Sequence, residues 1–132
     1  MYEVAITNFR PQPTQQKLSF AEAAGASACV RLVEDDVAVI SIADIRDRTD
    51  YGNFYIWIYA GRALVRLDEH REHFACNQEA ALDLSPEQVV FQDEDGSRFS
   101  MPVAATVNVH SAKEALLHWL ATGKRSAALA WS

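Results

Sequence analysis

The richest run of reactive side chains in this 132-residue chain is LDEHREH, residues 67–73. On a helix, His70 and His73 would share a face. On a strand, Asp68, His70 and Glu72 would share one face and Glu69, Arg71 and His73 the other. Either arrangement offers two or three imidazole and carboxylate groups, the usual donors to zinc. The spacing is not H-E-x-x-H and no second ligand pair stands elsewhere, so the run reads as a solvated charged face, with no metal. DEDG at 93–96 hints at a calcium loop, but an EF-hand would need an acid or amide where Phe91 stands and a glutamate near Pro102. There is no G-x-S-x-G motif, and Cys76, three residues after His73, lacks the context of a cysteine hydrolase. The five glycines lie far apart and form no phosphate loop. No catalytic residue and no cofactor is therefore expected.

The remaining chemistry is aromatic and acidic. YGNFYIWIY, residues 51–59, alternates on a strand: Phe54, Ile56 and Ile58 face one way and Tyr55, Trp57 and Tyr59 the other. The first face is core, and the second is expected to lie under a helix or to form an exposed adhesive patch. Lys and Arg number 12 against 18 Asp and Glu, a net charge of −6. The imbalance sits in residues 1–95, with 8 basic and 17 acidic side chains, whereas residues 96–132 hold 4 and 1. A mostly negative surface repels phosphate backbones and steers basic protein partners toward itself, so no direct contact with nucleic acid is expected.

The elements that must position these groups follow from periodicity. YEVAIT reads as a first strand and RPQPTQQ, with two prolines, as loop. LSFAEAAGASACVRLV reads as a helix that Ser19 would cap and Gly25 would weaken. DVAVISIADI is a strand and RDRTDYGN a polar turn. FYIWIYA and ALVRLDEH are two strands joined tightly at Gly61, with REHFACN as a third. ALDLSPEQ suggests a brief helical turn or a bend at Pro86. VVFQ and RFSMPV form a hairpin across DEDGS, with Gly96 free to take a positive φ and Pro102 at a strand end. After the strand TVNVH, Ser111 to Glu114 reads as a capping box. Ala112, Ala115, Leu116, Trp119 and Leu120 mark one helical face, and Gly123 closes the helix. SAALAW returns as a terminal strand. Its last aromatic, Trp131, is expected to pack on Ala115, Leu116 and Trp119. The fold class is α+β: mainly an antiparallel meander sheet of about five to seven strands, with an N-terminal helix and a C-terminal helix packed on it, ending in a short terminal strand.

Residues 1–132 are expected to form one domain, with 49% hydrophobic and 23% charged residues arguing against disorder. The chain shows neither a secretory signal nor a membrane span, and Cys29 and Cys76 have neither metal nor redox spacing. A cytoplasmic protein with reduced, mostly buried thiols is the expectation.

The tail carries the most specific pattern. VNVHSAKEALLHWLATGKRSAALAW, residues 107–131, resembles the C-terminal signature of immunity protein family one of bacterial polymorphic toxin systems. Ala115, Trp119, Leu120, Thr122, Gly123, Arg125, Leu129 and Trp131 fill the slots of that signature, and Ser126 stands where a proline is usual. FYIWIYAGRALVRLDEH is similar to the paired strands of the immunity partner of a DNA-deaminase toxin. The resemblance implies a bacterial, non-enzymatic protein that binds a cognate toxin domain and blocks it, several such toxins being nucleic-acid deaminases. It transfers no catalytic residues. An acidic surface would then occupy the toxin's basic active-site region. The expected contacts are Asp44, Asp47 and Asp50 with Tyr51; Asp68, Glu69 and Glu72; and Asp93, Glu94 and Asp95. The expected assembly is a monomer or weak dimer without membrane attachment. The competing readings are a small-molecule-binding or enzymatic α+β domain, with a pocket between sheet and helices and His70, His73 and Cys76 in it, and a structural subunit that dimerises through a strand edge.

Overall fold

Alternating apolar residues build most of one antiparallel sheet. The structure, a computed structural model, describes residues 1–33, 37–46, 49–80 and 85–132, with only the backbone of residues 49 and 50. The strands are β1 (Tyr2–Asn8), β2 (Thr14–Phe20), β3 (Ala38–Arg46), β4 (Thr49–Tyr59), β5 (Arg62–Asp68), β6 (Glu72–Cys76), β7 (Gln88–Gln92), β8 (Arg98–Pro102), β9 (Val107–Asn108) and β10 (Ala130–Trp131). The helices are α1 (Ala23–Arg31) and α2 (Val109–Thr122). The main sheet runs β10-β6-β5-β4-β3-β1-β2, with β9 also paired to β5, and β7 and β8 form a separate hairpin. The α+β class and the meander β3 to β6 are as the sequence implies.

The meander's register is set at its tightest turn. Ala60 and Gly61 both take positive φ, 47° and 80°, as a two-residue turn matching the twist of its strands requires. Tyr59 therefore pairs with Arg62, Tyr55 with Arg66 and Asn53 with Asp68. Because side chains alternate, this single offset sends Phe54, Ile56 and Ile58 with Ala63, Val65 and Leu67 into one core. That core is closed by Val30 of α1 and by Ala112, Ala115, Leu116, Trp119 and Leu120 of α2, the face the sequence marks. On the sheet's other side Val39, Trp57 and Leu64 pack with Val89 and Phe91 of β7. The Tyr55-Trp57-Tyr59 face thus lies under a β-hairpin; the helices both belong to the opposite side. Among the described residues no helix is long and apolar enough to cross a membrane.

Several local readings need correction. Thr14–Gln16, expected as loop, are the start of β2. This strand is at the sheet edge and only Phe20 is partly covered, so it has no apolar alternation to reveal it. Ser19 lies within β2 opposite Glu3 and does not cap α1, whose N-cap position is Glu22 without a side-chain bond. Gly25 has a packing reason: a Cβ there would come within 2.6 Å of Phe20 Cδ1. The polar turn read at RDRTDYGN is shorter, since β4 already begins at Thr49, and Asp47 and Arg48 lie outside the described residues. At ALDLSPEQ, residues 81–84 also lie outside them; beyond, residues 85–87 are irregular and Ser85 Oγ accepts a bond from Glu87 N at 3.3 Å. TVNVH is strand only at Val107–Asn108, and SAALAW only at Ala130–Trp131.

The capping box is displaced by one turn. Asn108 is the N-cap of α2, its Oδ1 accepting from Ser111 N at 2.7 Å, and Ser111 sits inside the helix. Gly123 ends the helix at φ 72°, its N–H donating to Trp119 O at 2.7 Å, as expected. The tail then returns to β6, and Ser132 N donates to Phe74 O at 3.0 Å. Trp131 is only partly buried: its ring meets Phe54 edge-on at 6.2 Å, and its Nε1 donates to Ser126 O at 2.8 Å. Phe54 stands between Trp131 and Trp119, 5.6 Å from the latter, so the two tryptophans meet through it. Both cysteines are free and half-buried.

Two stability measurements check this account. Asn108→Ala should cost about 1 kcal/mol in denaturant unfolding and Ser111→Ala clearly less; the reverse order would restore Ser111 as the cap. Phe54→Ala should cost about 3–5 kcal/mol and Trp131→Ala less than that, because its ring is only partly buried; equal losses would contradict the tail's packing.

Candidate functional site

The hairpin-covered face gathers the unusual polar chemistry of the molecule. Tyr55 and Trp57 stack at 5.6 Å with 17° between planes, and Phe99 of β8 meets Trp57 edge-on at 5.9 Å. Arg66, opposite Tyr55 in register, lays its guanidinium 4.6 Å from the Tyr55 ring centre and 5.3 Å from that of Trp57. Its Nη2 donates to Asp68 Oδ2 at 3.1 Å, while the 3.0 Å approach of Nε to Oδ1 is an ionic contact without hydrogen-bond alignment. Glu72 stands 3.9 Å from Nη1, across from Asp68 on β6. A planar cation that both stacks and ion-pairs suits arginine and would not survive exchange for lysine.

The hairpin tip is fastened to this platform by one carboxylate. Trp57 Nε1 donates to Asp93 Oδ1 at 3.1 Å, and the same oxygen accepts from Glu94 N at 2.8 Å. Asp93 N donates to Ser97 O at 2.8 Å and Gly96, at φ 86°, closes the turn. Asp95 accepts from Ser97 N at 2.9 Å and from Ser97 Oγ at 2.6 Å, bonds that hold its carboxyl below the usual range. Burial pushes the Tyr55 phenol above its ordinary value; the negative charge of Asp68 adds to this, stacked Arg66 opposes it, and Glu94 raises it further. Asp68 and Glu94, on different elements, therefore act on one tyrosine.

The ten expected contact residues divide by what already holds them. Asp44 is paired to Arg46 at 2.9 Å, Asp68 to Arg66, and Asp93 to Trp57. Tyr51, Glu69, Glu72, Glu94 and Asp95 are exposed, Glu72 with its long contact to Arg66 and Asp95 with its bonds from Ser97. Asp47 and the side chain of Asp50 lie outside the described residues. The sheet brings Asp44, Tyr51, Asp68, Glu69 and Glu72 to one end, since Asp44 pairs with Gly52 and Asn53 with Asp68. His70, His73 and Cys76 do not converge. His73 is buried with Nδ1 2.8 Å from Ser132 O, His70 is exposed, and no group of three or more metal-ligating side chains occurs among the described residues. On the helix side, where a ligand pocket is the alternative, Ile40, Ile42, Phe54, Ile56 and Leu116 are fully buried against one another, and a groove of about 610 Å³ opens between β1, β2 and the end of α1, lined by Ile6, Gln16, Leu18, Cys29 and Val33 without His70, His73 or Cys76.

Arg66 and the Trp57–Asp93 bond escape a reading by residue type, but a signal for the first existed. Counting outward from Ala60-Gly61 as a two-residue turn places Arg66 opposite Tyr55. The Asp93 bond joins residues 36 apart in sequence and has no such local signal.

The Tyr55 phenol should titrate above the ordinary tyrosine value of about 10, and Arg66→Gln should raise it further by removing the opposing cation. Because the folded value is the higher one, stability is retained below the unfolded pKa and declines as pH climbs toward the folded one. Ultraviolet phenolate titration of both proteins checks this, and a lowered value in the variant would contradict the stacking.

No curated protein matches the chain. Residues 20–132, from the end of β2 through the terminal strand, match the family of immunity protein Imm1, and the chain belongs to that family.

Proposed function

We propose that this protein is a non-enzymatic inhibitor that protects a bacterial cytoplasm by binding a cognate toxin domain and covering its basic active-site region. Family membership carries the reading: an Imm1 protein acts in immunity against a toxin, and its partner is a toxin protein. The toxin class that fits best is one that handles nucleic acid, of the deaminase type. Such an enzyme needs a basic substrate groove, and a chain of net charge −6 complements one.

The geometry supports a division of labour among the carboxylates. Asp44, Asp68 and Asp93 serve internal partners and shape the surface. Glu69 and Glu72 at the β5–β6 turn, and Glu94 and Asp95 at the hairpin tip, face solvent and supply the attraction. Long-range attraction of this kind acts mainly on association rate and falls with salt.

Co-production with the toxin encoded beside it should restore growth, and the purified pair should form a complex; neither would occur were the reading wrong. Reversing Glu69 and Glu72, or Glu94 and Asp95, to lysine should slow association by about tenfold at low salt and flatten its salt dependence. Unchanged kinetics for both variants would refute electrostatic capture.

A further inference from the structure

Tyr51 is presented in a way that no packing role accounts for. The β3–β4 register steps from Asp44 opposite Gly52 to Ile45 opposite Asp50, which leaves Tyr51 as the extra residue of a bulge. Bulges re-aim a side chain where pairing ends. The ring belongs to neither core and is 56% exposed.

An exposed tyrosine ordinarily samples several rotamers, but this one is braced. The Arg46 guanidinium lies 4.8 Å from the ring centre, and Asp44 grips that guanidinium in turn, through Nη2 at 2.9 Å and Nε at 3.4 Å. The backbone beneath is held from both sides. Ile45 N donates to Met1 O at 2.8 Å and Met1 N to Ile45 O at 3.1 Å. Across the bulge, a Cβ on Gly52 would stand 3.2 Å from Trp119 Cζ2, so the bare glycine lets the strand seat closely on α2.

A braced aromatic offers a large contact area and loses little freedom when covered, which is how tyrosine anchors interfaces. We infer that Tyr51 is such an anchor for the toxin, its ring entering an apolar pocket whose rim carries the basic groups that Glu69 and Glu72 attract. The inference rests on the immunity reading. The toxin is preferred to a second copy of this chain because family membership supplies a toxin partner, and the exposed Glu69 and Glu72 stand at the same sheet end, with Arg71 between them. Charge draws the partner in, and the ring keeps it.

The test is the binding kinetics of the purified toxin domain with the wild type and three variants. Tyr51→Ala should speed dissociation by about 30-fold or more, with association changed by no more than about threefold and the unfolding midpoint unchanged. Tyr51→Phe keeps the ring and should stay within about threefold of wild type, and Arg46→Ala, which removes the brace, should fall between wild type and Tyr51→Ala. Dissociation of Tyr51→Ala within about twofold of wild type would overturn the inference while leaving the immunity reading intact. So would a lowered unfolding midpoint, which would make the ring a structural brace, or a wild-type dimer that Tyr51→Ala breaks. Failure of the wild type itself to bind would remove the immunity reading and this inference together.

Discussion

Two residues at positive φ, Ala60 and Gly61, decide which way the central strands point. Their turn fixes the β4–β5 register, and a slip of one residue would move Phe54, Ile56 and Ile58 to the hairpin side and Tyr55, Trp57 and Tyr59 toward the helices. Both cores, the Arg66 stack and the attachment of the hairpin tip depend on that offset. Gly61 meets the requirement without strain, whereas Ala60 adopts a φ that alanine seldom takes. The sheet holds it there because so much packing on both faces agrees with this register.

The two faces are built differently. The helix side is almost entirely aliphatic and aromatic, closed by the face of α2 and fastened by the returning tail. The hairpin side mixes aromatic rings with a cation and carboxylates, so its interior is wired by directional contacts as well as by burial. This makes the helix side a scaffold and the hairpin side a surface whose shape depends on charge.

What could be read from the chain follows from how far each interaction reaches. Strands β3 to β6, the β7–β8 hairpin, the buried face of α2 and its glycine stop are legible because their signals are local: alternation, turn residues, helical spacing. Strand β2 is illegible for the opposite reason, since an edge strand exposed on both faces has no apolar pattern to display. The capping box points to Ser111 as the cap of α2, yet Asn108, a good capping residue one turn earlier, holds that position where the chain enters from β9. Among the acidic residues, chemical type was plain and commitment was not. Asp93 looks like Glu94 in a list of carboxylates, and a tryptophan on another strand is what separates them.

The match to the family begins at Phe20, yet β1, wholly before that point, lies inside the sheet between β2 and β3. Val4 and Ile6 belong to the helix-side core, and seven residues of β1 pair with β3. The first hairpin is therefore no appendage to the matched segment. Without it β3 would become the rim of the sheet, a long strand with Val39, Ile40 and Ile42 beside open backbone groups, the kind of edge that recruits other chains indiscriminately. In its place the rim is β2, polar and carrying Lys17, an edge of the kind that discourages pairing with a passing strand.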